Sequence, residues 1–330
     1  MRVLHVTSQE AGQRLDKLLA KYMQLAPKSF LYKMLRKKNI KLNGKKAEGS
    51  EKLAAGDEVT LYLSEDTIES FRQKEKPEIL PKNAIELDII FEDEDILVVN
   101  KPVGMLSQKA DKSDVSLVEH ISGYLSDGTQ SQTFRPGICN RLDRNTSGLV
   151  VAGKTVQGLQ WMNRLFRERD LKKYYLCLVK GRIEQGSRIH GYLLKNGNHN
   201  TVSVSNSPVT GADYIETEYT PLQTGRLHDR EYTLLRVHLI TGKSHQIRAH
   251  LQSIGHPIVG DGKYGQKEMY HIFKKEFGLK YQQLHAWKLE FGNVSYLPDK
   301  YHHCEFVAPL PEDFVRVMKG LGMRVQDYVS

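Results

Sequence analysis

A polar loop between residues 135 and 148 holds the residues best suited to chemistry. It reads Arg-Pro-Gly-Ile-Cys-Asn-Arg-Leu-Asp-Arg-Asn-Thr-Ser-Gly and precedes an apolar run that starts at Leu149. Asp143 lies between Arg141 and Arg144, and nearby positive charge favours the ionised form of a carboxylate. An ionised carboxylate held in place can act as a nucleophile or as a base. From these residues alone, an exposed Arg–Asp surface pair is the simpler alternative.

Other catalytic and binding motifs are incomplete. Residues 241–244 end like a phosphate-binding loop, but Val237 stands where that motif needs glycine. The glycine-rich stretch 260–265 has dinucleotide-fingerprint spacing, but a proline interrupts the strand that should precede it, so a dinucleotide-dependent enzyme is a weak alternative. His245 and His250 lack the glutamate of a zinc protease helix, and no cysteine pair has zinc spacing. We therefore expect neither a metal site nor a small-molecule cofactor.

The first 64 residues are predicted to form a small helix–helix–strand module. Apolar residues at helical spacing indicate one helix within residues 14–24 and a second helix after Pro27, capped by Ser29. The outer face of the second helix and the residues after it are basic, with Lys33, Arg36, Lys37 and Lys38. Asn43-Gly44 between two short extended segments predicts a tight hairpin turn.

Residues 65–84 are predicted to be a linker, because they are polar and acidic and contain two prolines. Residues 85–330 are predicted to be a second domain in which strands outnumber helices. We expect strands around residues 89–91, 96–99, 149–152, 174–179, 232–239 and 287–291, and helices over 157–168 and 243–253. Because helices and strands do not alternate regularly, the fold class is α+β, with a mixed, largely antiparallel sheet beside a small N-terminal α/β domain.

The net charge of +9 over 330 residues is unevenly distributed. Residues 1–50 contain 12 Lys/Arg and 3 Asp/Glu, whereas residues 51–100 contain 5 and 14. A basic block of this density is typical of a nucleic-acid-binding module, and a merely solvated basic face is the alternative. The three scattered cysteines favour a reducing cytoplasm over a disulfide framework, and the apolar runs are too short to cross a membrane.

Residues 141–149 closely resemble the catalytic-aspartate loop of RNA pseudouridine synthases of the RluA type. Further segments resemble the motifs of this family in the family's order, at residues 100–104, 173–181, 239–250, 255–261 and 284–287. The N-terminal module resembles the alpha-L RNA-binding motif that often precedes this catalytic domain. The resemblance extends from about residue 12 to about residue 310.

This resemblance implies a cytoplasmic, monomeric isomerase that converts specific uridines to pseudouridine in structured RNA, most simply large-subunit ribosomal RNA, without a cofactor. Asp143 would be the nucleophile, attacking either the sugar or the uracil ring, and Arg248 would pair with it. Tyr175 would stack on the uracil and take the proton from C5. Arg141 and Arg144 would anchor the loop or bind RNA phosphates, and the basic residues of the second helix would also contact RNA.

Three residues depart from the family pattern. Asn140 stands where the family usually has His, Lys243 where it usually has Arg, and Cys177 where it usually has Ala. A transfer-RNA pseudouridine synthase is one alternative, and a non-catalytic RNA-binding or ribosome-assembly factor is another. The intact set of Asp143, Tyr175 and Arg248 argues against the second. We expect His245, His250 and His285 to be structural hydrogen-bonding residues.

Overall fold

A computed structural model describes residues 1–73, 86–111, 113–125, 131, 133–196 and 201–328. The N-terminal module contains four strands and three helices: β1 (Arg2–His5), α1 (Leu15–Tyr22), α2 (Lys28–Arg36), β2 (Ile40–Leu42), β3 (Lys45–Lys46), β4 (Glu58–Leu61) and α3 (Glu65–Ser70). The strands form one sheet in the order β1-β4-β2-β3. None of the helices in these ranges combines the length and the apolar character that crossing a bilayer requires.

The apolar faces predicted for the first two helices form the core of this module. Leu15, Leu18, Leu19 and Tyr22 of α1 pack with Leu31, Met34 and Leu35 of α2 against the sheet. The predicted hairpin turn is confirmed, because Asn43 and Gly44 both have positive φ angles and connect the paired residues Leu42 and Lys45.

Two predictions about this module need correction. Helix α2 begins at Lys28, because the carbonyl of Pro27 already accepts the backbone N–H of Phe30, and Ser29 therefore lies inside the first turn and does not cap it. The predicted linker of residues 65–84 begins with helix α3, where Ile68 is buried in the core of the module. Residues 74–84 of that linker lie outside the described residues.

The second domain is built on one large sheet. Its elements are β5 (Ile89–Glu92), β6 (Ile96–Lys101), α4 (Leu117–Tyr124), β7 (Gly137–Ile138), β8 (Ser147–Gly153), α5 (Val156–Glu168), β9 (Leu171–Lys180), β10 (Ser187–Asn196), β11 (Thr201–Ser205), β12 (Asp213–Leu227), β13 (Arg230–Leu239), α6 (Gln246–Ser253), α7 (Lys267–Phe277), β14 (Leu284–Phe291), β15 (Glu305–Val307) and α8 (Glu312–Gly320).

The strand order is β11-β10-β12-β13-β9-β14-β8-β6-β5, with β15 beside β14 and β7 beside β8. The pairings within the described strands are antiparallel, except that β8 and β14 run parallel. This arrangement confirms the predicted mixed, largely antiparallel sheet. Every strand and helix predicted for this domain is present, although the bounds differ by a few residues.

The centre of the sheet is buried on both faces. On β9, Tyr175 and Cys177 point to one face, where they pack with Leu142 and Ile247, and we call this the front face. Leu176 and the other alternate residues point to the back face, which α7 and α8 cover. Burial on both faces explains why β9 reads as a nearly continuous apolar run.

The N-terminal module contacts the second domain through a buried carboxylate. Glu10 is 4% exposed and accepts hydrogen bonds from the hydroxyls of Ser131 and Thr133 and from the backbone N–H of Thr133. Burial favours the neutral acid, but these bonds and those from Thr7 outweigh it and lower the pKa of Glu10. Beside it, the backbone N–H of Val156, the first residue of α5, donates to the carbonyl of Gln9 over 2.9 Å. The two domains are therefore connected by a specific polar contact.

We expect Glu10→Ala to lower the free energy of unfolding by about 1–3 kcal/mol, because it leaves the buried donors of Ser131 and Thr133 without their acceptor. Urea unfolding of the full chain measures this change. Glu48→Ala is the matched control, since Glu48 is exposed in the same module, and it should change the value by less than about 0.5 kcal/mol. Superimposable unfolding curves for the two variants would contradict the role of Glu10.

Candidate active site

The loop that carries Asp143 leads into β8 and is held by hydrogen bonds to its backbone. The Ser107 hydroxyl donates to the carbonyl of Leu142 over 2.8 Å and accepts the N–H of Leu142 over 3.0 Å. The N–H of Thr146 donates to the carbonyl of Asp143 over 3.0 Å and closes a turn around the carboxylate. Because the backbone on both sides is tied down, the Asp143 side chain projects from a fixed position.

Lys101, at the end of β6, also holds this loop through hydrogen bonds to backbone carbonyls. Its side chain is fully buried, and its Nζ lies 2.9 Å from the carbonyls of Pro102 and Met105 and 3.2 Å from that of Arg144. Burial lowers the pKa of Lys101 to about 7, against the opposing effect of the Asp143 charge. Three carbonyl acceptors match the three N–H groups of a protonated lysine. Lys101 therefore joins the segment at residues 100–104 to the Asp143 loop.

Gly148, the second residue of β8, lies where the chain enters the sheet and only a glycine fits. Gly148 has a φ of +113°, and a Cβ atom there would lie 2.2 Å from the carbonyl oxygen of Ala286 on β14. Beside it, the Ser147 hydroxyl lies 2.9 Å from Nδ1 of His285, which is fully buried. His285 is therefore a structural hydrogen-bonding residue, as is His250, which bonds Thr217.

Arg248 on α6 pairs with Asp143, and the contact measures 2.8 Å between Nη1 and Oδ2. The other side of the same guanidinium forms a bidentate pair with Asp261, at 2.7 Å from Nε and 2.9 Å from Nη2. Asp261 also accepts the backbone N–H groups of Lys263 and Tyr264. Burial disfavours the charge on Arg248, but the two carboxylates outweigh it and raise the pKa of this arginine. Arg248 is therefore a fixed cation beside Asp143.

Tyr175 on β9 completes the predicted trio. Its side chain is buried in the front-face cluster together with Leu142, which precedes Asp143. Burial raises the pKa of Tyr175, and the negative charge of Asp143 raises it further, so the side chain is a neutral phenol at neutral pH. The structure thus brings Asp143, Tyr175 and Arg248 together from three separate parts of the chain.

A histidine that we expected to be structural also lies beside Asp143. Nε2 of His245 is 3.8 Å from Oδ2 of Asp143, and Nδ1 is 2.9 Å from the hydroxyl of Tyr264. His245 has a φ of +56°, so α6 begins at Gln246, and the predicted start at residue 243 is wrong. The positive φ at a non-glycine residue interrupts the helix one residue before its first turn.

The predicted RNA-binding residues are exposed and separate from this trio. Arg141 and Arg144 flank Asp143 in the sequence but point to solvent, and neither forms a salt bridge within the described ranges. Lys33, Arg36, Lys37 and Lys38 are likewise exposed, and none pairs with a carboxylate in the part of the chain that the structure describes. These cations are therefore available to a polyanion.

The three departures from the family pattern have local structural roles. The Asn140 side chain donates to the carbonyl of Leu149 over 3.0 Å and accepts the N–H of Val151 over 2.9 Å, so it supports the loop against β8. Lys243 forms a 2.7 Å salt bridge with Asp213. Cys177 is fully buried on the front face of β9. None of the three touches the Asp143 carboxylate in these contacts.

Sequence reasoning gave no role to Lys101, Asp261 or Tyr264. Asp261 and Tyr264 lie in the glycine-rich stretch whose dinucleotide-fingerprint spacing gave a weak alternative, and the structure shows a turn that presents Asp261 to Arg248. Lys101 is the last residue of β6, two positions after the apolar run of residues 96–99, and a lysine at that place is a signal that could have indicated burial. Each of the three acts through a contact that crosses from one segment to another, which spacing alone does not predict.

Two families and several known proteins are similar to this chain. Residues 95–253 match the RNA pseudouridylate synthase family, and residues 13–59 match the S4 domain. The ribosomal large subunit pseudouridine synthase C of Vibrio vulnificus is 30% identical over 329 residues, covering 97% of this chain and 96% of the relative. The protein of the same name in Escherichia coli K12 is 30% identical over 326 residues, covering 97% of both chains. The structure of human RNA pseudouridylate synthase domain containing 4 has a similar fold, with a TM-score of 0.57, 21% identity and coverage of 72% of this chain and 93% of that one.

We expect Asp261→Asn to lower the free energy of unfolding by about 3–5 kcal/mol at neutral pH, because it leaves a buried guanidinium without its bidentate partner. Asp213→Asn is the matched control, since Asp213 forms a partly exposed salt bridge with Lys243, and it should cost about 0–1 kcal/mol. Urea unfolding measures both.

The same pair of variants has a predicted pH dependence. Burial raises the pKa of Asp261, but Arg248 and the backbone donors outweigh it and lower the pKa below its ordinary 3.8. A carboxylate whose pKa is lower in the folded state than in the unfolded state stabilises the fold at pH values above its unfolded-state pKa. This stabilisation is lost as the pH falls through the folded-state pKa. The difference between wild type and Asp261→Asn should therefore shrink below about pH 4, and a constant difference would contradict the ion-pair role.

Proposed function

Because the chain belongs to the RNA pseudouridylate synthase family and carries an S4 domain, we propose that it isomerises specific uridines of large-subunit ribosomal RNA. The observation that carries this proposal is the Asp143–Arg248 pair at 2.8 Å beside the buried ring of Tyr175. The names of the relatives that span nearly the whole chain support the choice of RNA.

Asp143 acts as the nucleophile in this proposal. Its side chain is 25% exposed, so it can reach a substrate, while Arg248 is 6% exposed and contributes charge from within the protein. Arg248 places a positive charge next to the carboxylate and fixes the direction in which Oδ2 points. The carboxylate attacks either C1′ of the ribose or the uracil ring, and both routes lead to a bond between C1′ and C5.

Tyr175 provides a surface for the uracil ring to stack on. An aromatic ring at the bottom of the site stabilises an extruded base by about 1–3 kcal/mol, which offsets the few kcal/mol needed to remove that base from its stack. The second role suggested by the resemblance, removal of the C5 proton, is less suitable for Tyr175. Because the pKa of Tyr175 is raised, its oxygen is protonated at neutral pH and is a weak base.

The reaction itself needs no redox partner. One carbon–nitrogen bond is exchanged for one carbon–carbon bond, the C5 proton moves to solvent and N1 gains a proton. We therefore propose catalysis by the chain's own residues, without a cofactor. We also propose that the enzyme is a monomer and that it acts in the cytoplasm; the free thiols of Cys139, Cys177 and Cys304 support the reducing compartment.

The N-terminal module supplies RNA affinity in this proposal. Four exposed cations, Lys33, Arg36, Lys37 and Lys38, follow one another along α2 and the residues after it. Contacts between such cations and phosphates release counterions and provide affinity that does not depend on sequence. Arg141 and Arg144 add charge directly beside Asp143.

We expect Asp143→Ala to lower the rate of pseudouridine formation by roughly 10³-fold or more, because no other group replaces the nucleophile. The assay uses ribosomal RNA from a strain that lacks the enzyme, and carbodiimide modification with primer extension maps the product. Asp299→Ala, at a fully exposed position, is the control and should remain active. The absence of a new site with wild type would contradict the substrate, and equal activity of Asp143→Ala would contradict the mechanism.

We expect the quadruple change of Lys33, Arg36, Lys37 and Lys38 to Gln to weaken RNA binding and to reduce its salt dependence. Each lost phosphate contact should lower the slope of log K against log salt by about 0.7–0.9. Filter binding at several salt concentrations measures the slope. The control replaces four exposed cations of α7 and α8, Lys267, Lys274, Lys275 and Lys319. The proposal is wrong if both quadruple variants show the same slope.

A further inference from the structure

His245 carries a ring nitrogen that forms no hydrogen bond with the described residues. The side chain is 11% exposed and lies next to Asp143. Nδ1 contacts the Tyr264 hydroxyl, but Nε2 has no acceptor within hydrogen-bond distance among the described residues, and Oδ2 of Asp143 is 3.8 Å away. A half-buried ring nitrogen beside the nucleophile is therefore free to contact the substrate.

Tyr264 determines which nitrogen of His245 carries the proton. The backbone N–H of Val202 on β11 donates to the Tyr264 oxygen over 2.8 Å. The phenol proton of Tyr264 then has one acceptor within the described residues, Nδ1 of His245 at 2.9 Å. If Nδ1 carried the proton instead, the phenol proton would have no partner. The hydrogen-bond chain thus places the imidazole proton on Nε2, which faces Asp143.

The charge of the ring fits a donor that does not neutralise Asp143. Burial lowers the pKa of His245, and the positive charges of Arg248 and Lys263 lower it further. The negative charges of Asp143 and Asp261 act in the opposite direction but do not outweigh burial. The imidazole is therefore neutral at neutral pH. A neutral N–H donates a hydrogen bond without placing a second positive charge beside Asp143.

The backbone conformation of His245 independently indicates that this residue has a function in the site. Its φ of +56° is unfavourable for a residue with a Cβ atom, and strain of this kind concentrates at functional sites. His228 has the same conformation, with a φ of +52°, but its side chain is 63% exposed in the turn between β12 and β13. At His245 the strained backbone directs the ring into the site.

We propose that the Nε2–H of His245 donates to the O2 atom of the target uracil and stabilises the negative charge that develops there. This inference rests on the proposed function and adds a catalytic residue to it. When an Asp143 oxygen bonds to C1′, the C1′–N1 bond breaks and its electron pair passes to the uracil, where N1, O2 and O4 share it. No proton is lost or gained in this step. A donor 3.8 Å from Oδ2 of the Asp143 carboxylate is well placed for O2, which is two bonds from N1.

The test combines a protein change with a change of one substrate atom. His245→Asn keeps a residue that tolerates positive φ, but its shorter amide does not reach the substrate. On a stem-loop RNA with uridine at the target site, we expect kcat to fall on the order of 10²-fold with little change in KM, as for the loss of one donor to a developing anion. On RNA with 2-thiouridine, the same variant should lose much less, because sulfur is a weak hydrogen-bond acceptor.

Three controls make the result specific. RNA with 4-thiouridine retains O2, so His245→Asn should show its full loss there. His228→Asn is the same substitution at the same backbone conformation in an exposed turn and should leave kcat unchanged. Tyr264→Phe removes the hydroxyl that orients the imidazole but keeps the aromatic ring. It should lower kcat less than His245→Asn does, and this loss should also be smaller on 2-thiouridine RNA than on uridine RNA.

The outcomes separate this inference from the proposed function. If wild type does not convert unmodified RNA, the proposed function fails before His245 is tested. If wild type is active and His245→Asn loses the same factor on uridine and on 2-thiouridine, the contact to O2 is wrong. If His245→Asn fails to fold, as thermal unfolding would reveal, Tyr264→Phe decides by the same comparison.

Discussion

The site depends on one buried guanidinium that is shared between two carboxylates. Moving Arg248 out of water is costly unless its N–H groups are paired. Asp261 takes Nε and Nη2 in a bidentate pair, and only Nη1 is left for Asp143. Because Asp261 is itself held by two backbone N–H groups, the guanidinium cannot turn towards Asp143. A single hydrogen bond then orients Asp143, and Arg248 does not engage its second oxygen.

This constraint explains why so much of the surrounding structure holds backbone in place. A single contact from Arg248 orients the Asp143 carboxylate only if the loop that carries it is equally rigid. Lys101 and Ser107 bind the loop carbonyls, and Gly148 allows β8 to approach β14 so closely that a Cβ atom would not fit. The buried front-face cluster beneath them does not change shape easily. The position of the Asp143 carboxylate is therefore set by the sheet to which its loop is anchored.

The sequence predicted the parts of this structure that depend on local pattern. The apolar faces of α1 and α2, the turn at Asn43-Gly44 and the buried run of β9 follow from spacing and residue type. Strands β10 to β12 were missed because they are largely polar and depend on pairing with distant strands. Helix α3 was read as linker because its sequence is acidic, yet the burial of Ile68 decides its structure. The trio of Asp143, Tyr175 and Arg248 was found through motifs, whereas Asp261 and Tyr264 required the turn geometry.

The cation that contacts Asp143 and the cations exposed beside it are different residues. From the sequence, Arg141 and Arg144 looked like the source of the charge that holds Asp143 ionised. In the structure they point to solvent, and the cation that contacts Asp143 is Arg248, which is distant in the sequence and buried. A cation that is already paired with a carboxylate binds a phosphate less strongly, since the carboxylate cancels much of its field. Because Arg248 makes the buried contact with Asp143, Arg141 and Arg144 remain exposed and without a carboxylate partner among the described residues, as their proposed contact with RNA phosphates requires.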